Sequence, residues 1–154
     1  MNKILEYLDE LYPDAYCELK YSKDYELLIA IVLSAQTTDK RVNMVTPVLF
    51  KKYPDLKSLS EAPIEAIEEI IKPIGTFKKK SLFIKQIATS LLKDTNGIVP
   101  NDREYLKTLS GVGPKTINVF LAEYYHVEAI AVDTHVSRVS KRLNLCKQSS
   151  TPSE

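Results

Sequence analysis

The sequence predicts an all-α fold, a bundle of short helices. Three observations lead there. Apolar residues recur at spacings of three and four along most of the 154 residues. Prolines and glycine-containing pairs break the chain into segments of a few turns. No two alternating runs are placed to pair as strands.

Ile4, Leu5, Leu8 and Leu11 form the first stripe, and Pro13 ends it. The run LLIAIVL over residues 27–33 contains Leu27, Leu28, Ile31 and Val32. Its β-branched residues suit a strand, but the length of the segment and its polar flanks favour a buried helix. Thr38 or Thr37 caps the next helix, which carries Val42, Val45 and Leu49 until Lys51-Lys52-Tyr53-Pro54 stops it. Pro63 suits a first helical position, and Ile64, Ile67, Ile70 and Ile71 then share one face, ended by Lys72-Pro73-Ile74-Gly75. A helix from about Lys79 to Lys93 should turn Leu82, Phe83, Ile87, Leu91 and Leu92 inward and close at Asn96-Gly97. Asn101, with Glu104 three residues on, reads as the cap of DREYLKTL. Pro114 opens a helix through Val119, Leu121 and Tyr125, and a last one starts near Asp133 with Val136, Val139 and Leu143 inward.

Length and composition fit one globular domain, with 44% hydrophobic and 27% charged residues. A chain of this size buries roughly 68–70% of its unfolded surface, enough for a core without disulfides. Cys17 and Cys146 are the only cysteines and no C-x-x-C occurs, which excludes a disulfide framework or a complete cysteine metal site in these residues. A reducing, cytoplasmic setting is expected. The amino terminus is acidic where a signal peptide is apolar, and no run approaches the ~18 apolar residues of a membrane span. The net charge of +1 hides a segmented distribution: residues 61–71 hold four acids and no base, and residues 72–93 six lysines and no acid. Basic blocks at 35–60, 72–93 and 129–154 make an anion-binding surface if the fold gathers them, and solvated helix faces if it does not.

The most informative stretch is Leu109-Ser110-Gly111-Val112-Gly113-Pro114-Lys115-Thr116, where two of the four glycines flank one valine between two helical patterns. Glycines leave backbone N–H groups uncovered, and the following helix points its positive end at the same place, a geometry suited to phosphate. The spacing is wrong for a nucleotide-binding P-loop. On pattern alone, the segment is a tight turn.

The order L-x-G-V-G-x-K-T followed by A-V-D-T-H at 131–135 resembles the helix-hairpin-helix DNA glycosylases, most nearly their endonuclease III branch. Leu33-Ser34-Ala35-Gln36-Thr37-Thr38-Asp39 resembles the same family's LSAQTTD segment, and Ile74-Gly75 precedes a lysine-bearing helix as it does there. The matches span about residues 23–145 in the family's order. The resemblance implies a helix-hairpin-helix at about 102–124 inside a helical domain of residues 23–133. Residues 1–22 and 134–154 would be the parts that pack toward an iron–sulfur region. It also implies base excision repair on duplex DNA carrying a damaged base or abasic site, by a monomer working at the nucleoid. The activity would be removal of oxidised pyrimidines coupled to strand cleavage.

The roles follow residue by residue. Lys115 takes the place of the nucleophile, and an ordinary lysine amine is almost fully protonated at neutral pH. Its position in the first turn of a helix, together with partial desolvation, would favour the neutral form that attacks. Asp133 takes the place of the catalytic aspartate, although an acid opening a helix is also an N-cap. Gln36 would fill the space left by the extruded base. The second wedge of close relatives is a leucine where this chain has Thr76, so either Phe77 takes that part or it packs in the core. Gly111, Gly113 and Thr116 would hold phosphate, with Lys78, Lys79 and Lys80 adding charge. His126 reads as a surface residue and His135 as part of a helix terminus. Without Lys115 and Asp133 the hairpin would still serve a non-catalytic DNA-backbone module, and an inactive fragment is the third alternative.

The family's four-cysteine loop, which binds a [4Fe–4S] cluster, has no counterpart here. The chain ends at Ser149-Ser150-Thr151-Pro152-Ser153-Glu154, where T-P-x-E resembles a helix start. No cofactor is expected for these residues, and Leu5, Leu8, Val136 and Leu143 are expected to be under-covered.

Overall fold

The computed structural model describes residues 2–151. Its helices are α1 (Asn2–Leu11), α2 (Asp24–Leu33), α3 (Asp39–Lys52), α4 (Leu56–Glu61), α5 (Ile64–Ile71), α6 (Phe77–Asp94), α7 (Arg103–Thr108), α8 (Pro114–Tyr125) and α9 (Thr134–Arg142). A single 3₁₀ turn, Lys72–Ile74, separates α5 from α6, and no strand occurs among the described residues. The all-α expectation holds. The chain divides into two compact units, residues 18–130 and residues 1–17 with 131–154.

The larger unit is built around α2. All its residues from Tyr25 to Leu33 are buried, so the LLIAIVL run is a helix that is apolar on every side because it is surrounded. Helices α3, α6 and α8 pack against it. Each of Leu27, Leu28, Ile29 and Leu33 is fully covered, contributing roughly 1.5–3 kcal/mol apiece. Its amino end is tied by side chains: Glu26 accepts from the Ser22 amide at 2.7 Å, and Asp24 from the Val99 amide at 2.7 Å. The Tyr125 hydroxyl donates to the Val99 carbonyl at 2.6 Å, so α2 and α8 hold the same stretch of chain.

Several elements differ from expectation. Helix α4 has no periodic run to announce it; Asp55 caps it by accepting from Ser58 N at 2.7 Å, and Leu56 and Leu59 are its buried residues. Pro63 is the N-cap of α5 and not its first helical residue. Asp102, not Asn101, caps α7, accepting from the amides of Glu104 and Tyr105 at 2.9 and 3.1 Å. Thr38 settles the capping choice for α3, accepting from Arg41 N. In α6 the buried face is Lys80, Ser81, Ile84, Ile87, Ala88 and Leu91, while Leu82 and Leu92 are 51% and 38% exposed. The stripe is rotated because its first turn is filled by a lysine and a serine, which hydropathy spacing does not count as core.

In the smaller unit α1 and α9 are amphipathic, and none of the residues of α9 is buried. Leu5 and Leu143 are exposed, and Leu8 and Val136 half-buried.

Candidate functional site

The hairpin is α7, a turn through residues 109–113, and α8. Leu109 and Val112 are buried anchors, with the Val112 amide donating to Leu109 O at 3.2 Å. Gly111 adopts φ +78°, a region nearly closed to other residues, and a Cβ there would lie 2.5 Å from Phe83 Cδ2. Gly113 is extended at φ −100°, N-caps α8, and has open space where a Cβ would be. The two glycines therefore serve different needs, one for the turn and its packing, the other for access.

Pro114 is the first residue of α8, where its missing N–H costs nothing. Lys115 follows and is exposed. Thr116 is half-buried. One turn further, Asn118 accepts from Arg103 Nη1 at 2.6 Å and donates to the Ile130 carbonyl at 3.0 Å. This bridge ties α7 and the segment leaving α8 to the turn that carries Lys115.

The first two turns of α6 join the hairpin to the Gln36 turn. Lys79 stands over the Phe83 ring at 5.7 Å, and that ring covers Gly111. Lys78 and Lys79 are exposed, as a phosphate contact requires. Lys80 is not: it is 4% exposed, and its ammonium donates to the carbonyls of Leu33 and Ala35 at 2.8 Å each. Its expected place among the phosphate-binding lysines is thus corrected, because the side chain is turned into the protein and its donors are used there. Burial pushes the amine below the ordinary lysine value.

Gln36 is exposed on the turn that follows α2, at φ +59°. Thr76, just before α6, has φ +43°, unusual for a β-branched residue. Phe77 behind it is half-buried. The positive φ at Gln36 and Thr76 has no sequence signal; both lie in the turns that carry the residues expected as wedges.

Asp133, in the smaller unit, is the N-cap of α9, where its carboxylate accepts from the Val136 amide at 2.7 Å. His135 lies in the first turn with Nδ1 3.0 Å from Arg138 Nη2, and His126 ends α8 on the surface.

A family model described as the HhH-GPD superfamily of base excision DNA repair proteins matches residues 29–154. The chain belongs to that superfamily. Endonuclease III of Bacillus subtilis is 44% identical over 143 residues, which are 93% of this chain and 65% of that protein. Its Synechocystis counterpart is 45% identical over 146 residues, 94% of this chain and 67% of that protein. A solved structure of a trapped covalent intermediate between endonuclease III and DNA superposes with a TM-score of 0.90 at 45% identity, covering 97% of this chain and 70% of that one. The chain spans about two thirds of the length of these relatives.

The [4Fe–4S] cluster that the resemblance implies takes four thiolates. This chain has two cysteines, and among the described residues no three His, Cys, Asp or Glu side chains gather to hold a metal. The residues present do not fit the cluster. Among the described residues no helix is long and apolar enough to cross a membrane.

Proposed function

We propose that this HhH-GPD chain is a bifunctional DNA N-glycosylase and AP lyase that removes oxidised pyrimidines from duplex DNA in the bacterial cytoplasm. The observation that carries this reading is Lys115, an exposed residue at the second position of α8, two residues after Gly113. Amides around Gly111 and Gly113 and the positive end of α8 would bind a phosphate. The adjacent sugar then lies within reach of Lys115, without reference to base sequence.

The Lys115 amine attacks the deoxyribose C1′ and the bond from C1′ to the base breaks, the base leaving with the bonding electron pair. Opening of the sugar ring gives a Schiff base between Nζ and C1′. Loss of a C2′ proton then breaks the C3′–O bond by β-elimination, and water releases the amine. The Asp133 carboxylate would stabilise positive charge as it develops at C1′. Extrusion of the target costs a few kcal/mol for unstacking and unpairing, and Gln36 occupies the vacated space.

Duplexes with an oxidised pyrimidine at one site, incubated with the chain, should yield free base and a strand cut 3′ of the lesion. Binding of these duplexes with neither product would refute the enzymatic reading in favour of a hairpin that only holds DNA backbone.

A further inference from the structure

We propose that Lys80 is a positioning residue: its ammonium, bonded to the carbonyls of Leu33 and Ala35, fixes the turn that presents Gln36 to DNA. This rests on the reading above, in which Gln36 enters the duplex.

The last carbonyls of a helix have no partner within it. In α2 that end runs straight into the turn bearing Gln36, where the Ala35 amide donates to Val32 O at 3.4 Å and the Thr37 amide to Ser34 O at 3.1 Å. Gln36 is a non-glycine residue held at φ +59°, a conformation its Cβ disfavours. Lys80 supplies two charge-assisted bonds, one on each side of Ser34. Ala35 itself is exposed, so no packing from its own side chain does this work.

The alternative is that Lys80 merely stabilises the fold, and magnitudes argue against it. Taking an ammonium out of water is costly, and well-packed apolar replacements of buried charges are often neutral or stabilising. A buried lysine beside two exposed lysines is a poor choice for stability. It is a good one for geometry, because three donors on one nitrogen can pin two carbonyls at once. Lys80 also sits four residues past the strained Thr76 and three before Phe83, which covers Gly111. One stretch of α6 thus sets both the Gln36 turn and the hairpin.

The test compares Lys80→Met, Lys80→Arg, Gln36→Ala and the double variant Lys80→Met/Gln36→Ala. Each is followed by fluorescence of a 2-aminopurine beside an abasic site, by borohydride trapping, and by amide hydrogen exchange. Lys80→Met should slow base opening and trapping by roughly ten- to a hundred-fold, with Lys80→Arg restoring most of the loss. The double variant should be no slower than the slower single one, because both changes remove the same wedge. Exchange should rise over residues 34–37 and stay unchanged in α8. Wild-type rates in Lys80→Met, multiplying losses in the double variant, or exchange raised equally in α8 would each overturn the proposal. A wild-type chain that forms no adduct would sink the enzymatic reading instead, and the exchange result would still report on the turn.

Discussion

The Phe83 ring closes over the α-carbon of Gly111, so that a Cβ at this position would stand 2.5 Å from Cδ2 and 2.9 Å from Cε2. Gly113, two residues on, has nothing within 4 Å of the same position. The contrast predicts two different failures. Gly111→Ala should lower stability by about 1–2 kcal/mol from its φ alone, with more from the ring, and Phe83→Ala should relieve the second part but not the first. Gly113→Ala should lose at most about 1 kcal/mol, the order of an N-cap change, yet weaken binding to undamaged duplex. Thermal melts beside DNA titrations separate them; equal stability losses would contradict this division of roles.

The lysine run predicts an uneven salt dependence. Each neutralised phosphate adds about −0.9 to the slope of log K against log salt. Lys78→Ala and Lys79→Ala should therefore each flatten it by up to ~0.9, and Lys80→Met should leave it unchanged because its amine already serves Leu33 and Ala35. Binding isotherms between low and physiological salt give the slopes directly.

Asp133 serves as a cap whatever else it does, and the two roles come apart by substitution. Asn caps about as well as Asp, whereas Ala costs roughly 1 kcal/mol. Asp133→Asn should keep the Val136 amide protected from exchange while slowing base release by about 10²-fold or more, the scale of a lost acid–base or charge-stabilising group. Asp133→Ala should lose both. Full activity in Asp133→Asn would remove the carboxylate from the chemistry.

Burial depresses the Lys80 amine, so the unfolded chain holds that proton to higher pH than the folded chain. The unfolded state then binds more protons between the depressed value and the ordinary lysine value of about 10.4. Stability from this group rises with pH across that interval. It is fully present above the interval and lost as pH falls through the folded value. Denaturant melts of wild type and Lys80→Met should diverge in slope against pH there; parallel curves would contradict it.

Much of this was legible from the residues. The apolar run of α2, the opening of α8 at Pro114 and the cap at Asp133 each follow from one strong local rule: sustained apolar length, a preset φ, a short acceptor side chain. What escaped had no such rule. Helix α4 is six residues long with only Leu56 and Leu59 buried, too short for a period to register. The face of α6 was misplaced because Lys80 and Ser81 fill its first buried turn, where a charge count places lysine in solvent. Phe83 against Gly111 and Lys80 against Ala35 join segments 28 and 45 residues apart, and no spacing in the chain encodes them. Lys115 and Gln36 stand in ordered motifs of the chain, whereas the positive φ at Gln36 is visible only in its backbone.

In the proposed reaction the Lys115 amine forms the bond to DNA. Incubating the chain with abasic-site duplex and borohydride, which reduces a Schiff base to a stable adduct, tests it most directly. Wild type should give a covalent protein–DNA species, and Lys115→Ala should give none while keeping its melting temperature, since the residue is exposed. An adduct that persists undiminished in Lys115→Ala would rule out Lys115 as the nucleophile.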